Sequence, residues 1–372
     1  MDRHHIPVAR VLGIPIGIDY SWFLIFVAIT WALAVTYYPA ALPARPAGVY
    51  WLLGALTALA LFLSVVLHEL GHSVVALRNR IPVRRITLFV FGGVSQITAE
   101  PPSPGIELRV ALAGPAVSFA LALVFLALQR PAAGSGPWLA LTRYLAYINA
   151  TLGAFNLIPG FPLDGGRVLR ALVWSATQNL SRATYTAGTV GRIVGFLFIL
   201  WGVVQIFTGH PGSGVWIAFI GWFLESAATA EIQRQTVQRL LGGHTVAELM
   251  NRQYCAISPT TSLQELVDEH ILGGGRRCFV VSHGDQLVGL VTLHRIKAVP
   301  RERWPHTPAS EIMTPAARVR RVRPGTKVWP AMVEMDRDGV NQLPVVEDGR
   351  MVGMLTREDV ISFLRTMHEL ES

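Results

Sequence analysis

The residues best placed to do chemistry lie in Leu67-His68-Glu69-Leu70-Gly71-His72-Ser73, within an apolar run that begins near Val49. On a helix, positions i and i+4 share a face, so His68 and His72 can hold one metal ion together. Glu69 stands beside them, about 100° around the helix, where it can take a proton from a water at that metal. Two neutral imidazoles, an open coordination position and a base are what a hydrolytic zinc site requires. A histidine in an apolar helix is often only a hydrogen-bonded core residue. Here, however, no charged residue occurs from Val49 to Leu67, so the motif ends a stretch long enough to cross a bilayer. Polar groups at that depth are costly unless paired or metal-bound, and they usually mark function.

Two histidines leave a catalytic zinc one protein ligand short. The extended H-E-x-x-H-x-x-G-x-x-H pattern is excluded, because Val75 and Arg78 stand where it needs glycine and histidine. Downstream acids that can serve are Glu100, Glu107 and Asp164. Glu100 and Glu107 flank a proline-rich loop, where plain solvation is the other reading of them. Asp164 closes Phe155-Asn156-Leu157-Ile158-Pro159-Gly160-Phe161-Pro162-Leu163-Asp164, a proline- and glycine-rich turn that can swing a carboxylate inward.

The elements that must position these groups are membrane helices. Of 372 residues, 51% are apolar and 15% charged, and the mean hydropathy is +0.41. That composition is a membrane protein's. Spans are expected near Tyr20–Tyr37, Val49–Leu77, Leu108–Leu128, Leu139–Ile158, Gly191–Phe207 and Gly214–Ala230, with a shorter helix over Val168–Leu180. Arg3, Arg10, Arg78, Arg80, Arg84, Arg85, Arg167, Arg170 and Arg182 fall on one side and little beyond Arg45 and Arg130 on the other, which predicts cytoplasmic termini in a cell membrane. The net charge of +8 suits anionic lipid; no basic helix or aromatic-basic motif points to nucleic acid. Cys255 and Cys278 alone form no disulfide framework and fit a reducing compartment. Between the second and third spans, Arg85 to Gln96 reads as two strands broken at Gly92-Gly93, either a structural hairpin or an edge strand for a substrate.

H-E-L-G-H in one span and F-N-L-I-P-G-F-P-L-D-G-G-R two spans later resemble the site-2 protease family of intramembrane zinc metalloproteases, over about Ile6 to Leu180. The resemblance implies one zinc ion per chain, held by His68, His72 and Asp164, with Glu69 as general base. It also implies that Asn156 lies near the metal as a substrate or oxyanion contact, and that Gly92 and Gly93 belong to a membrane-associated β-sheet at the substrate. A helix-terminating hydrogen bond is the other reading of Asn156. The implied partner is a single-span membrane protein, such as an anti-sigma factor or membrane-tethered regulator, cut within or near its membrane segment.

From Gly242 the chain repeats itself at an offset of about 64 residues. Val246 to Met250 returns as Ala309 to Met313, and Leu287 to Thr292 as Met351 to Thr356. Each copy reads helix, strand, turn, strand, helix. This resembles a tandem pair of cystathionine-β-synthase (CBS) domains over about Gly242 to Leu370. The resemblance implies homodimerisation and an adenine nucleotide (ATP, ADP or AMP) at Thr356 and Asp359, with Arg295 occupying the acidic position in the first copy. A helix cap explains Thr356 and Asp359 without a ligand.

The expected architecture is a polytopic α-helical membrane domain of about six transmembrane helices with a small β-sheet, plus a cytoplasmic α/β CBS-domain pair. The expected divisions are 1–230, a linker 231–241, and CBS domains 242–304 and 305–372. The competing reading is a CBS-gated transporter or channel with a His/Asp ion site, which would not need Glu69.

Overall fold

A computed structural model describes residues 5–90, 92–97, 100–129, 136–272, 278–284 and 286–371. Arg3 and Arg130, used above for orientation, lie outside the described residues, as does Phe91. The chain forms two compact units, Met1–Gln233 and Arg234–Ser372.

In the first unit, β1 (His5–Val11) and β2 (Ile14–Asp19) pair antiparallel about Leu12 and Gly13, both at positive φ. Then α1 (Ser21–Ala32) runs through a π-helical turn at Leu33–Tyr37 into α2 (Tyr38–Ala41), one apolar rod over Ser21–Ala41. Next comes α3 (Ala47–Arg78), whose 32 residues rise about 48 Å at ~1.5 Å each. Strands β3 (Val83–Phe89) and β4 (Gly92–Ile97) follow, then helices α4 (Pro104–Ala127), α5 (Gly136–Asn156), α6 (Asp164–Thr177), α7 (Leu180–Phe207) and α8 (Pro211–Gly242).

Five helices among the described residues are long and apolar enough to cross a membrane: Ser21–Ala41, α3, α4, α7 and α8. Large apolar side chains such as Leu24, Val27, Leu123, Leu197 and Trp216 point outward from them, as lipid-facing residues do. The fourth expected span, α5, is a 21-residue helix that carries Thr142, Arg143, Asn149 and Asn156, and this polar load keeps it out of the apolar set.

Three expected boundaries move. The short helix starts at Asp164, four residues early, because Gly165 and Gly166 let it press on the preceding turn. A Cβ at Gly165 would meet the Ile158 carbonyl at 2.3 Å, and one at Gly166 the Gly160 backbone at 2.4 Å. Helix α7 starts at Leu180 rather than Gly191, since Asn179 caps it by accepting the Arg182 N–H at 2.9 Å. Helix α8 runs past its expected end at Ala230 to Gly242, through the residues of the expected linker.

The four-stranded sheet has the order β1-β2-β3-β4, with β2 and β3 parallel and the other neighbours antiparallel. Its apolar face, with Ile14, Ile16, Ile86 and Leu88, packs on Phe62, Val65, Val66 and Leu70 of α3. The helix that carries the histidines is thereby the floor of the sheet, and β4 ends the sheet beside it.

Glu107 is not solvated. It sits in the first turn of α4 with no exposed surface and accepts from Arg170 Nε of α6 at 2.6 Å. Two charges at that depth are tolerated only as a pair.

In the second unit, two α/β copies share a sheet of order β5-β6-β7-β10-β9, with β8 on β7. The elements are α9 (Val246–Leu249), β5 (Ala256–Ile257), α10 (Leu263–Glu265, continuing as a π-turn to Leu272), β6 (Cys278–His283), β7 (Gln286–Thr292), α11 (Leu293–Lys297), α12 (Ala309–Ile312), β8 (Thr314–Pro315), α13 (Val328–Asp338), β9 (Gln342–Glu347), β10 (Arg350–Thr356) and α14 (Arg357–Glu371). The copies exchange their leading helices. Val246 and Leu249 are buried with Val328, Leu343 and Leu355 of the second copy, while Ala309 is buried with Leu263, Phe279 and Val291 of the first. Backbone bonds seal the exchange, Val246 N to Thr326 O at 2.8 Å and Ala309 N to Thr261 O at 2.8 Å. Neither copy can complete its core alone.

Candidate metal centre

Ser64, His68, His72 and Ala76 follow one another at i+4 along α3, giving one buried stripe. Against it lies α4, whose matching stripe is Val110, Gly114 and Ser118. The Val110 carbonyl accepts from His72 Nδ1 at 2.7 Å, and Ser118 Oγ meets His68 Nδ1 at 2.8 Å. A carbonyl cannot donate, so His72 carries its proton on Nδ1 and presents a bare Nε2 lone pair. Gly114 makes room for the imidazoles: a Cβ there would lie 2.1 Å from His72 Nε2 and 2.6 Å from His68 Nε2.

Asp164, the first residue of α6, completes the group. Its Oδ2 is 3.1 Å from both Nε2 atoms, which are themselves 3.2 Å apart. The turn that delivers it is held from outside, with the Phe161 N–H bonded to Ala187 O of α7 at 3.2 Å and the Arg170 guanidinium 5.3 Å from the Phe161 ring centre. Among the described residues, His68, His72 and Asp164 are the one cluster of three side chains able to ligate a metal. Glu100 and Glu107 are not in it.

The donor set fits zinc. A tetrahedral ion about 2.0–2.1 Å from each ligand sets neighbouring ligand atoms about 3.3 Å apart, close to the edges found here. A carboxylate oxygen and a bare imidazole nitrogen at such distances repel unless a proton or a metal cation lies between them. The chain also supplies what ligating histidines need behind them, a hydrogen-bond partner on each Nδ1.

Glu69 is beside this triangle and not part of it. Its Oε2 accepts from Ser95 Oγ on β4 at 2.6 Å. Gly93, two residues earlier on β4, is so close that a Cβ there would lie 2.8 Å from Glu69 Cγ. Gly92, by contrast, has open space at its Cβ position and a φ of +123°, the conformation that opens the strand. Asn156 ends α5 with its amide donating to Leu152 O at 3.1 Å, a helix-terminating bond.

Val110, Gly114, Ser118, Ser95 and the Glu107–Arg170 pair were missed by motif reading. The i+4 repeat of Val110, Gly114 and Ser118 was visible, but a helix full of small residues offers many such stripes.

In the second unit, Thr356 and Asp359 form a reciprocal cap on α14. Asp359 Oδ2 accepts from Thr356 N at 2.9 Å and Thr356 Oγ1 at 2.7 Å, and the Asp359 N–H returns to Thr356 Oγ1 at 3.1 Å. A cavity of about 850 Å³ lies elsewhere, lined by Arg321, Arg323, Thr326, Glu347 and Asp348. It sits at the turn end of the β9–β10 hairpin, about 20 Å along the strand from Thr356 at ~3.3 Å per residue.

Comparison with known proteins gives the family. The model of peptidase family M50 matches residues 56–134 and 127–201, and that of the CBS domain matches residues 246–302 and 309–366. A protein of Mycobacterium tuberculosis named as zinc metalloprotease Rip3 is 36% identical over 363 residues, covering 96% of this chain and 92% of its own. Another named as zinc metalloprotease sll0528, from Synechocystis, is 34% identical over 369 residues, 98% of this chain and 96% of its own. The solved site-2 protease of Methanocaldococcus jannaschii is 30% identical, with a TM-score of 0.43, over 62% of this chain and 95% of that one. Because the likeness to the named metalloproteases runs through both units from end to end, the chain belongs to peptidase family M50, the site-2 proteases, as a multi-pass membrane zinc metalloprotease with a C-terminal CBS pair.

Proposed function

We propose that the protein hydrolyses a peptide bond within or near the transmembrane segment of a single-span membrane protein, with His68, His72 and Asp164 as zinc ligands and Glu69 as general base. The observation that carries this reading is the convergence of His68 Nε2, His72 Nε2 and Asp164 Oδ2 at 3.1–3.2 Å with a carboxylate held next to them. When bound there, zinc polarises the scissile carbonyl and acidifies the attacking water. Glu69 takes the proton of that water at the oxygen not engaged by Ser95 and delivers it to the leaving amide nitrogen, a role worth about 10²–10⁴ in rate.

Helical amides are occupied and shielded, so the substrate must unwind before attack. The outer edge of β4, opened at Gly92 and Gly93, offers an extended partner for the unwound segment. Asn156 serves as a substrate contact once its amide leaves the Leu152 carbonyl. The domain divisions 1–230, 231–241, 242–304 and 305–372, cytoplasmic termini in the cell membrane, and a homodimer through the CBS pair complete the proposal. An anti-sigma factor or other membrane-tethered regulator is the class of substrate.

The test is Glu69→Gln in purified protein, with zinc counted and cleavage of a synthetic single-span peptide followed. Zinc retained with cleavage abolished supports the reading. Cleavage retained removes Glu69 as base.

For the CBS pair we infer adenine-nucleotide binding near Thr356 and Asp359. The reciprocal cap means a ribose must compete with an existing hydrogen-bond set, so binding and the start of α14 are coupled. Control of cleavage then requires that the nucleotide prefer one of two states of the pair. Calorimetry of full-length protein and Asp359→Ala with ATP, ADP and AMP decides it. Heat in the first and none in the second supports the site, whereas no heat with any nucleotide leaves the pair as a dimerisation or docking module.

A further inference from the structure

We propose that Ser95 is the positioning residue for Glu69: its hydroxyl, carried on the last strand of the sheet, fixes which carboxylate oxygen is free to accept a proton. The inference rests on Glu69 being the base.

Residues two apart on a strand share a face, and on β4 that face is turned to α3 by Gly93 and Ser95. Gly93 brings the strand backbone onto the Glu69 side chain, leaving no room for a Cβ. Ser95 then sits over the carboxylate, 2.6 Å from Oε2 and 3.3 Å from the Glu69 carbonyl. The shorter contact is the length of a hydroxyl donating to an ionised carboxylate. Ser95 has one proton, and it is committed there. Ser73 Oγ, one turn beyond Glu69 on α3 and fully buried, is 3.2 Å from Ser95 Oγ and donates to it. A directed chain therefore runs from Ser73 to Ser95 to Glu69 Oε2, and each bond polarises the next.

This arrangement has a mechanistic consequence. With Oε2 occupied, Glu69 cannot rotate freely between its two oxygens, and Oε1 is the one left to take the proton of a water. Register ties the strand to the base as well. Ser95 is paired with Ile86, which is fully buried beneath the sheet. Ser95 is thus fixed relative to α3 through the core, while the outer edge of the same strand is where a substrate segment would pair.

The experiment uses full-length, zinc-loaded protein in detergent micelles and a quenched-fluorescent single-span peptide whose apolar helix carries a Pro-Gly break. Ser95→Ala is expected to keep its zinc and its KM while kcat falls by up to roughly a hundredfold, the effect of a base displaced by about an ångström. Ser95→Thr, which restores the hydroxyl, is expected to recover most of kcat. A second readout needs no turnover. In metal-stripped protein, Ser95→Ala is expected to lower the unfolding midpoint, and to lower it less in a Glu69→Ala background, because the carboxylate is then gone while the contacts to Ser73 and to the residue-69 carbonyl remain. An unchanged kcat in Ser95→Ala, or the same midpoint shift in both backgrounds, overturns the proposal. Cleavage by Glu69→Gln would sink the underlying assignment instead, so the two failures are distinguishable.

Discussion

Gly114→Ala places one methyl group where the structure has least space for it. The added Cβ would lie 2.1 Å from His72 Nε2, about 1.3 Å short of ordinary contact at 3.4 Å, and 2.6 Å from His68 Nε2. Metal–ligand distances tolerate only about ±0.2 Å, so His72 cannot both clear the methyl and keep its bond. Dividing roughly 10–16 kcal/mol of zinc binding over four ligands puts ~2.5–4 kcal/mol on each, or about two to three decades in affinity. Alanine is the better helix former by ~0.5–1 kcal/mol, so α4 itself is not weakened by the change. The assay is zinc content by mass spectrometry after dialysis against a graded chelator, with circular dichroism to confirm that the helices persist. Zinc lost at roughly a hundredfold lower chelator concentration, with helicity retained, is the expected result. Zinc held as tightly as in the parent protein would refute the packing of α4 on the histidines, and with it the shape of the site.

His68→Ala, His72→Ala and Asp164→Ala should each lose most bound zinc, whereas Glu100→Ala should keep it; zinc counting on the purified variants decides. Glu107→Ala strands a buried Arg170 and should cost about 3–5 kcal/mol, seen as a lower midpoint in detergent unfolding, while the protein that remains folded still carries zinc. Burial pushes the Cys278 thiol up to about 12, so at neutral pH it should label with maleimide far more slowly in folded than in unfolded protein. The shift favours the folded state fully below the ordinary thiol value of 9.0, and that contribution fades as pH rises to about 12.

The placing of His68 and His72 on one helix face at i+4, and the break between strands at the paired glycines, were legible because short motifs of unusual type carry their geometry with them. Asp164 was legible only beside other acids, and the fold chose among them by distance. Glu107 misled because a glutamate after a proline-rich loop looks solvated, while its partner Arg170 lies 63 residues away in sequence. Polarity along a sequence reports what a residue is, and only packing reports what pairs with it. The same limit hid Ser95, an ordinary serine on a strand until α3 is placed beneath it. In the second unit, the repeat announced two copies, but nothing local shows that Val246 and Ala309 are exchanged between cores. Helix boundaries moved where capping and close backbone packing, at Asn179 and at Gly165-Gly166, overrode glycine's usual preference for turns.

The most direct test of the zinc-peptidase account is single-turnover cleavage of a single-span peptide by zinc-loaded wild-type and Glu69→Gln protein, with products mapped by mass spectrometry. One zinc per chain is expected in both, with cleavage inside or beside the apolar segment by the wild type and none by the variant. Equal cleavage by the two proteins, or a variant that has lost its zinc, would contradict it.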